Sequence, residues 1–208
     1  MELRVIESDE GGNLLSGYPV RFNTWSEDLG GFIERVRPEA VKNALMVSDI
    51  RMLYGHNSDS LLPLGRSNKK SKTLRFATDT RGIKIENELP DIQIARELKI
   101  SINRKDVDGM SFGFTVSDSG DEWNEKDGIV RRTINEIKEF FDFSVVVYPA
   151  YTATKVSVRA LDKAKEIKQA ATSLDDTEAT LRAQQDEGKS LEIDILNITR
   201  TTEGNRKC

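Results

Sequence analysis

From Glu2 to about Ala160 the chain alternates apolar and polar residues in short runs, the period-2 signature of half-buried strands. "ELRVIE" opens the series. "NLLSGYPVRFN" follows, with Tyr18, Val20 and Phe22 expected on one face. In "GFIERVRPEAVKNALM" a strand gives way to a short helix, and Pro38 suits its first turn because proline has no N–H to leave unpaired there. "DIRMLYGHN" reads as a strand ending at Gly55-His56. "TLRFATDTRGIKIENEL" reads as a hairpin, with Leu74 and Phe76 facing Ile83 and Ile85 across a turn at Asp79–Gly82. The period lengthens to that of a helix in "PDIQIARELKISI", where Asp91 is the candidate N-cap and Ile92, Ala95, Leu98 and Ile102 form an apolar stripe. "GMSFGFTVSDS" and "IVRRTINEIKEFFDFSVVVYPA" supply the last long strands, and "ATKVSVRA" closes the series. Many short strands, a few helices and no strand–helix–strand alternation predict an α+β fold with a mainly antiparallel, β-barrel-like core and peripheral helices.

The pattern stops abruptly. All 14 aromatic residues lie between Tyr18 and Tyr151, and large aromatic side chains dominate core burial. A folded domain over 1–160 is therefore expected, followed by a tail over 161–208 rich in Ala, Lys, Glu, Asp and Gln. That tail reads as a solvated helix or a disordered segment, with a short apolar patch "LEIDILNI".

Composition narrows the chemistry. The net charge of −4 gives no general reason to expect binding to nucleic acid or to an anionic membrane. No apolar run approaches the ~20 residues that span a bilayer, and "MELRVIESDEGG" lacks the pattern of a signal peptide. A soluble protein of a reducing cytoplasm is the expectation. One cysteine, Cys208, and one histidine, His56, exclude an internal disulfide, a CxxC redox site and a Cys/His zinc site, so no metal or other cofactor is expected. If the chain uses a histidine in catalysis, it is His56.

"DGMSFGF" is an odd strand, because glycine weakens a strand interior and usually marks a bulge or a close approach. Ser111 sits there between Gly109 and Gly113. It is either a small residue that lets two layers meet or a nucleophile, and a serine nucleophile needs a neighbouring base held by a third group. Two acids compete for that third place, Asp142 in "FFDFSVV" and Glu139 before it. Alternation puts Asp142 and Ser144 on one face, with the flanking Phe141 and Phe143 on the other. Asp142 in an apolar run also fits a structural ion pair with Arg131 or Arg132. A lysine base, Lys105 or Lys138, is a further alternative that would leave His56 idle.

In order and spacing these segments resemble the prohead proteases of tailed bacteriophages, serine peptidases related in fold to the herpesvirus assemblin proteases. The resemblance rests on "SGYPVRFN", "GGFIERVRPEAV", "IRMLYGHNSDSLLPLGR", "RGIKIENELPDIQIARELKISINRKDVDGMSFGF" and "FFDFSVVVYPAY". It implies His56 as base, Ser111 as nucleophile and Asp142 as third member, at a position where the family usually carries glutamate, with Glu139 as the fallback. It also implies a substrate in the scaffolding region of the major capsid protein, cleavage of the protease itself, self-association, and action inside the assembling prohead in the host cytoplasm. A catalytically inactive assembly factor on the same fold is the alternative.

Overall fold

The computed structural model describes residues 3–7, 12–59, 62–148 and 160–174. Contacts divide the chain into two units, Met1–Ala164 and Lys165–Cys208; of the second, only 165–174 are described, and they are helical. Among its described residues the first unit contains eleven strands, three helical elements and a further helical stretch at 160–164. In chain order the strands are β1 (Arg4–Glu7), β2 (Asn13–Arg21), β3 (Phe32–Val36), β4 (Ile50–Tyr54), β5 (Gly65–Ser67), β6 (Leu74–Thr78), β7 (Gly82–Leu89), β8 (Gly109–Val116), β9 (Asp121–Lys126), β10 (Ile129–Ile134) and β11 (Ile137–Val146). A 3-10 turn at Pro38–Val41 leads into α1 (Lys42–Val47), and α2 spans Gln93–Arg104.

The fold is α+β and mostly antiparallel, as the alternation suggests, but no barrel closes among the described strands. The described strands form three separate sheets, ordered β1-β2-β7-β6, β3-β10-β9 and β5-β4-β11-β8. Two of the pairings, β3 with β10 and β4 with β11, are parallel. The first and third sheets share one apolar core, in which Leu15, Val20, Ile83 and Ile85 meet Met52, Phe112, Phe140 and Phe143. Phe76 on β6 meets Phe143 on β11 edge-on at 6.3 Å, an arrangement the ring quadrupoles favour.

Local departures from the sequence reading have identifiable causes. A register shift between Gly17 and Val20 interrupts the alternation of β2. Val20 and Phe22 enter the core, whereas Tyr18 turns its hydroxyl to Asp79 Oδ2 at 2.5 Å. In the hairpin Phe76 does face Ile85, but Leu74 faces Asn87 and Thr78 faces Ile83. Helix α2 begins one residue later than predicted, with Ile92 as an N-cap that offers no side-chain hydrogen bond, while Asp91 pairs with Arg96. Strand β9, "DEWNEK", lacks the apolar alternation that would have marked it. "ATKVSVRA" and the tail beyond Leu174 fall almost entirely outside the described residues.

Asp49 precedes β4 and is gripped by Arg66 of β5, whose Nε and Nη2 donate to Oδ1 at 2.7 Å and Oδ2 at 2.5 Å. That bidentate bond lowers the Asp49 pKa to about 2 from an ordinary 3.8. An acid whose folded pKa is depressed stabilises the fold above its unfolded pKa and loses that contribution as pH falls. The melting temperature of wild type is therefore expected to exceed that of Asp49→Asn near neutral pH, with the gap narrowing from pH 3.8 to about 2. Thermal denaturation of both proteins across that range checks it, and a gap independent of pH would count against the assignment.

Candidate active site

Strand β11 occupies the middle of the third sheet, hydrogen-bonded to parallel β4 on one side and antiparallel β8 on the other. The registers align Asp142 with Arg51 and Gly113, and Ser144 with Leu53 and Ser111. Directly opposed residues place their Cβ atoms about 4.5–5.5 Å apart on the same face. Ser111, Asp142 and Ser144 thus share the face away from the core, while Phe112 and Phe143 point into it.

His56 reaches the same place by a different route. The last ladder bond at the end of β4 runs from Gly55 N–H to Val145 O at 2.8 Å. Gly55 and His56 then take left-handed φ values of 67° and 57°, closed by Asn57 N–H to Tyr54 O at 3.2 Å. Two consecutive left-handed residues give a tight reversal that glycine accepts readily and histidine only at a cost of roughly 1–2 kcal/mol. Two bonds hold His56 in it. Its backbone N–H donates to Ser144 Oγ at 3.2 Å, and its ring Nδ1 lies 2.6 Å from Asp142 Oδ1.

The Asp142 carboxylate is 11% exposed, and Oδ1 also accepts the Ser144 hydroxyl at 2.5 Å. Its other oxygen lies against Gly113, where a Cβ would fall well inside contact distance of Oδ2. Gly113 is the space the carboxylate needs. With Nδ1 engaged by Asp142, Nε2 is the imidazole nitrogen left to exchange a proton with another group.

His56, Ser111 and Asp142 line one cleft of about 890 Å3. Phe141 lines it too, contrary to the expected alternation. A register shift between Phe140 and Asp142 lets Phe140 and Phe143 both enter the core and leaves Phe141 45% exposed. The far wall comes from the second sheet. There Arg132 of β10 donates to Glu34 Oε2 at 3.1 Å and to Asp121 Oδ2 at 2.8 Å. Burial raises the pKa of Glu34 against the opposing pull of Arg132. Among the described residues, no group of three or more His, Cys, Asp or Glu side chains is arranged to hold a metal ion. No described helix is long and apolar enough to cross a membrane.

The other sequence candidates fall elsewhere. Glu139 lines the cleft opposite Thr115, but the His56 ring bonds to Asp142. Arg132 serves Glu34 and Asp121, and Arg131 donates to the carbonyls of Lys126 and Ile129, so neither arginine forms the ion pair considered for Asp142. Lys138 and Lys105 are not among the cleft-lining residues; Lys105 forms the left-handed C-cap of α2. The sequence reading tied Gly113 to Ser111 rather than to Asp142, and it missed the exposure of Phe141 and the polar role of Ser144. A glycine inside a strand was the available signal for the first, and two adjacent phenylalanines, which cannot both enter one core face, for the second.

No curated protein and no solved structure matches the chain. A family model described as caudovirus prohead serine protease matches residues 1–170. The class is that of serine peptidases. The chain belongs to the caudovirus prohead serine protease family.

Gly113→Ala is expected to push the Asp142 carboxylate off the imidazole, at a destabilisation of about 1–3 kcal/mol typical of overpacking. The readout is the ring NMR signals of His56, the single histidine. Unchanged His56 signals in a folded Gly113→Ala protein would show that the carboxylate does not need this space.

Proposed function

We propose that this chain is the endopeptidase of prohead maturation, with Ser111 as nucleophile, His56 as general base and Asp142 as the group that orients the base. The observation that carries the reading is the 2.6 Å contact between His56 Nδ1 and Asp142 Oδ1 in a cleft that Ser111 also lines. Family membership supports the reaction class. His56 Nε2 takes the Ser111 proton as Oγ attacks the peptide carbonyl, and the proton then passes to the leaving amine. Asp142 keeps the Nδ1–H tautomer in place and offsets the charge of the imidazolium. An aspartate here, where the family usually carries glutamate, is reconciled by the glycine opposite it. Gly113 lets the shorter side chain settle against the backbone of β8 and still meet the ring.

The substrate is the scaffolding region of the major capsid protein, cut inside the assembling prohead, and the protease also cuts itself and self-associates. The tail over 161–208 is the segment that directs the enzyme into the shell and is trimmed. Intact-mass measurement on mature particles is expected to find it shortened, and an untrimmed chain in active particles would rule that out.

Co-expression with the cognate capsid protein tests the assignment. Wild type shortens the capsid protein, whereas Ser111→Ala and His56→Ala reduce cleavage by about four or more orders of magnitude, and Asp142→Asn by nearly as much. Equal shortening by Ser111→Ala and wild type would refute the nucleophile. Full cleavage by His56→Ala would transfer the base role to a lysine. No cleavage by wild type would favour the inactive assembly factor.

A further inference from the structure

Ser144 is fully buried, yet its hydroxyl makes two polar contacts that converge on the candidate site. Oγ accepts the His56 backbone N–H at 3.2 Å and donates its own proton to Asp142 Oδ1 at 2.5 Å. His56 Nδ1 meets that same carboxylate oxygen at 2.6 Å. Backbone, hydroxyl, carboxylate and imidazole therefore close a ring of hydrogen bonds, and Ser144 is the one member that holds the histidine by its main chain and the acid by its side chain.

The position of this serine is set by the end of β4. Gly55 N–H makes the last backbone bond to β11, at Val145 O. The left-handed turn that follows carries the His56 N–H away from the ladder, and a buried amide without an acceptor costs about 1–3 kcal/mol. Ser144 Oγ supplies the acceptor, and in accepting it fixes where the imidazole starts. Its proton goes to Asp142, so the one donor of the hydroxyl is committed. Ser144 is not among the cleft-lining residues, whereas its cross-strand neighbour Ser111 is. Two serines face each other across β8 and β11, and their surroundings assign them opposite tasks.

We propose that Ser144 is a positioning residue of the peptidase site, locking the left-handed His56 backbone and the Asp142 carboxylate in the relative geometry that general-base catalysis needs. This rests on the assignment of Ser111, His56 and Asp142 above. Alanine removes both bonds and one oxygen atom. Threonine keeps a hydroxyl on the same Cβ. Because both the acid and the base lose their anchor, the loss falls on the chemical step rather than on substrate binding.

The test uses the full chain. In a Ser111→Ala background, which keeps the protein uncut, NMR follows the backbone amide and the Nδ1 proton of His56, the only histidine. Adding Ser144→Ala is expected to speed His56 amide exchange by about tenfold or more and to broaden the Nδ1 proton, with other core amides unchanged. With Ser111 intact, Ser144→Ala is expected to lower kcat by about ten- to hundredfold with KM nearly constant, the size of a lost hydrogen bond to a charged group. Ser144→Thr restores most of the rate.

A wild-type kcat in Ser144→Ala would overturn the proposal, as would unaltered His56 protection. Equal losses in Ser144→Ala and Ser144→Thr would also overturn it, since packing alone would then explain the site. The two levels separate cleanly. If Ser111→Ala still cleaves, the nucleophile assignment fails; if Ser111→Ala is inactive while Ser144→Ala is fully active, only the positioning role fails.

Discussion

The hydrogen-bonded register of β11 between β4 and β8 is the constraint on which the cleft depends. Parallel pairing with β4 delivers the chain end that becomes the His56 turn, and antiparallel pairing with β8 sets Ser111 directly opposite Ser144. A slip of one residue on either side would exchange the polar face for the phenylalanine face. Apolar packing guards against this, because Phe140 and Phe143 are both fully buried and Phe112 contacts Phe140 with ring centroids 6.1 Å apart. The extra residue at Phe141 lets two core phenylalanines spaced by three positions coexist with a polar face that keeps strict alternation from Asp142 to Ser144. Core packing and site geometry are fixed by the same bulge.

The cleft contains two largely buried acids whose environments differ. Asp142 receives two hydrogen bonds on one oxygen, from the His56 ring and from Ser144, and among the described residues no guanidinium pairs with it. Glu34 is 3% exposed and leans on Arg132, and burial raises its pKa despite that cation. The first arrangement leaves the histidine dependent on the carboxylate for its orientation. The second is a closed network in which Arg132 also grips Asp121 and lies 5.3 Å from the Trp123 ring centroid. One wall carries the proposed base and its orienting acid, the other a network of ion pairs.

Much of this was legible in the sequence, for identifiable reasons. Short alternating runs marked most strands, and the single histidine limited any histidine base to His56. The adjacency of His56 and Asp142, by contrast, depends on a parallel β4–β11 pairing between segments far apart in the chain, which no local pattern encodes. Tyr18 and Phe141 were misplaced because a register shift inverts the faces on either side of it and leaves no residue-type signature. Strand β9 was invisible because "DEWNEK" alternates intermediate and exposed residues and so lacks an apolar face. Three sheets rather than a barrel follow from where ladders end, a property of pairing and not of composition.

The two walls belong to different sheets, so the width of the cleft depends on how the third sheet is joined to the second. Three connections cross between the sheets: β3 leads through α1 to β4, while β8 runs on through a turn to β9 and β10 runs on to β11, and these last two are short. Those two connections are bonded to each other: Gly120 O accepts both Asn135 N–H at 2.7 Å and Glu136 N–H at 2.9 Å, and Ser117 N–H reaches Glu136 O at 3.3 Å. A hinge there would have to break several backbone hydrogen bonds at once, each costly to leave unmade away from water. The nucleophile candidate on β8 and the acid on β11 therefore sit on strands tied twice, by their own ladder and by the clasp beyond its end. Among the described residues, His56 is tied through its turn and through Asp142 and Ser144. Among the three candidate catalytic side chains the base has the weakest backbone support, which is why a buried hydroxyl beneath it matters more than its size suggests.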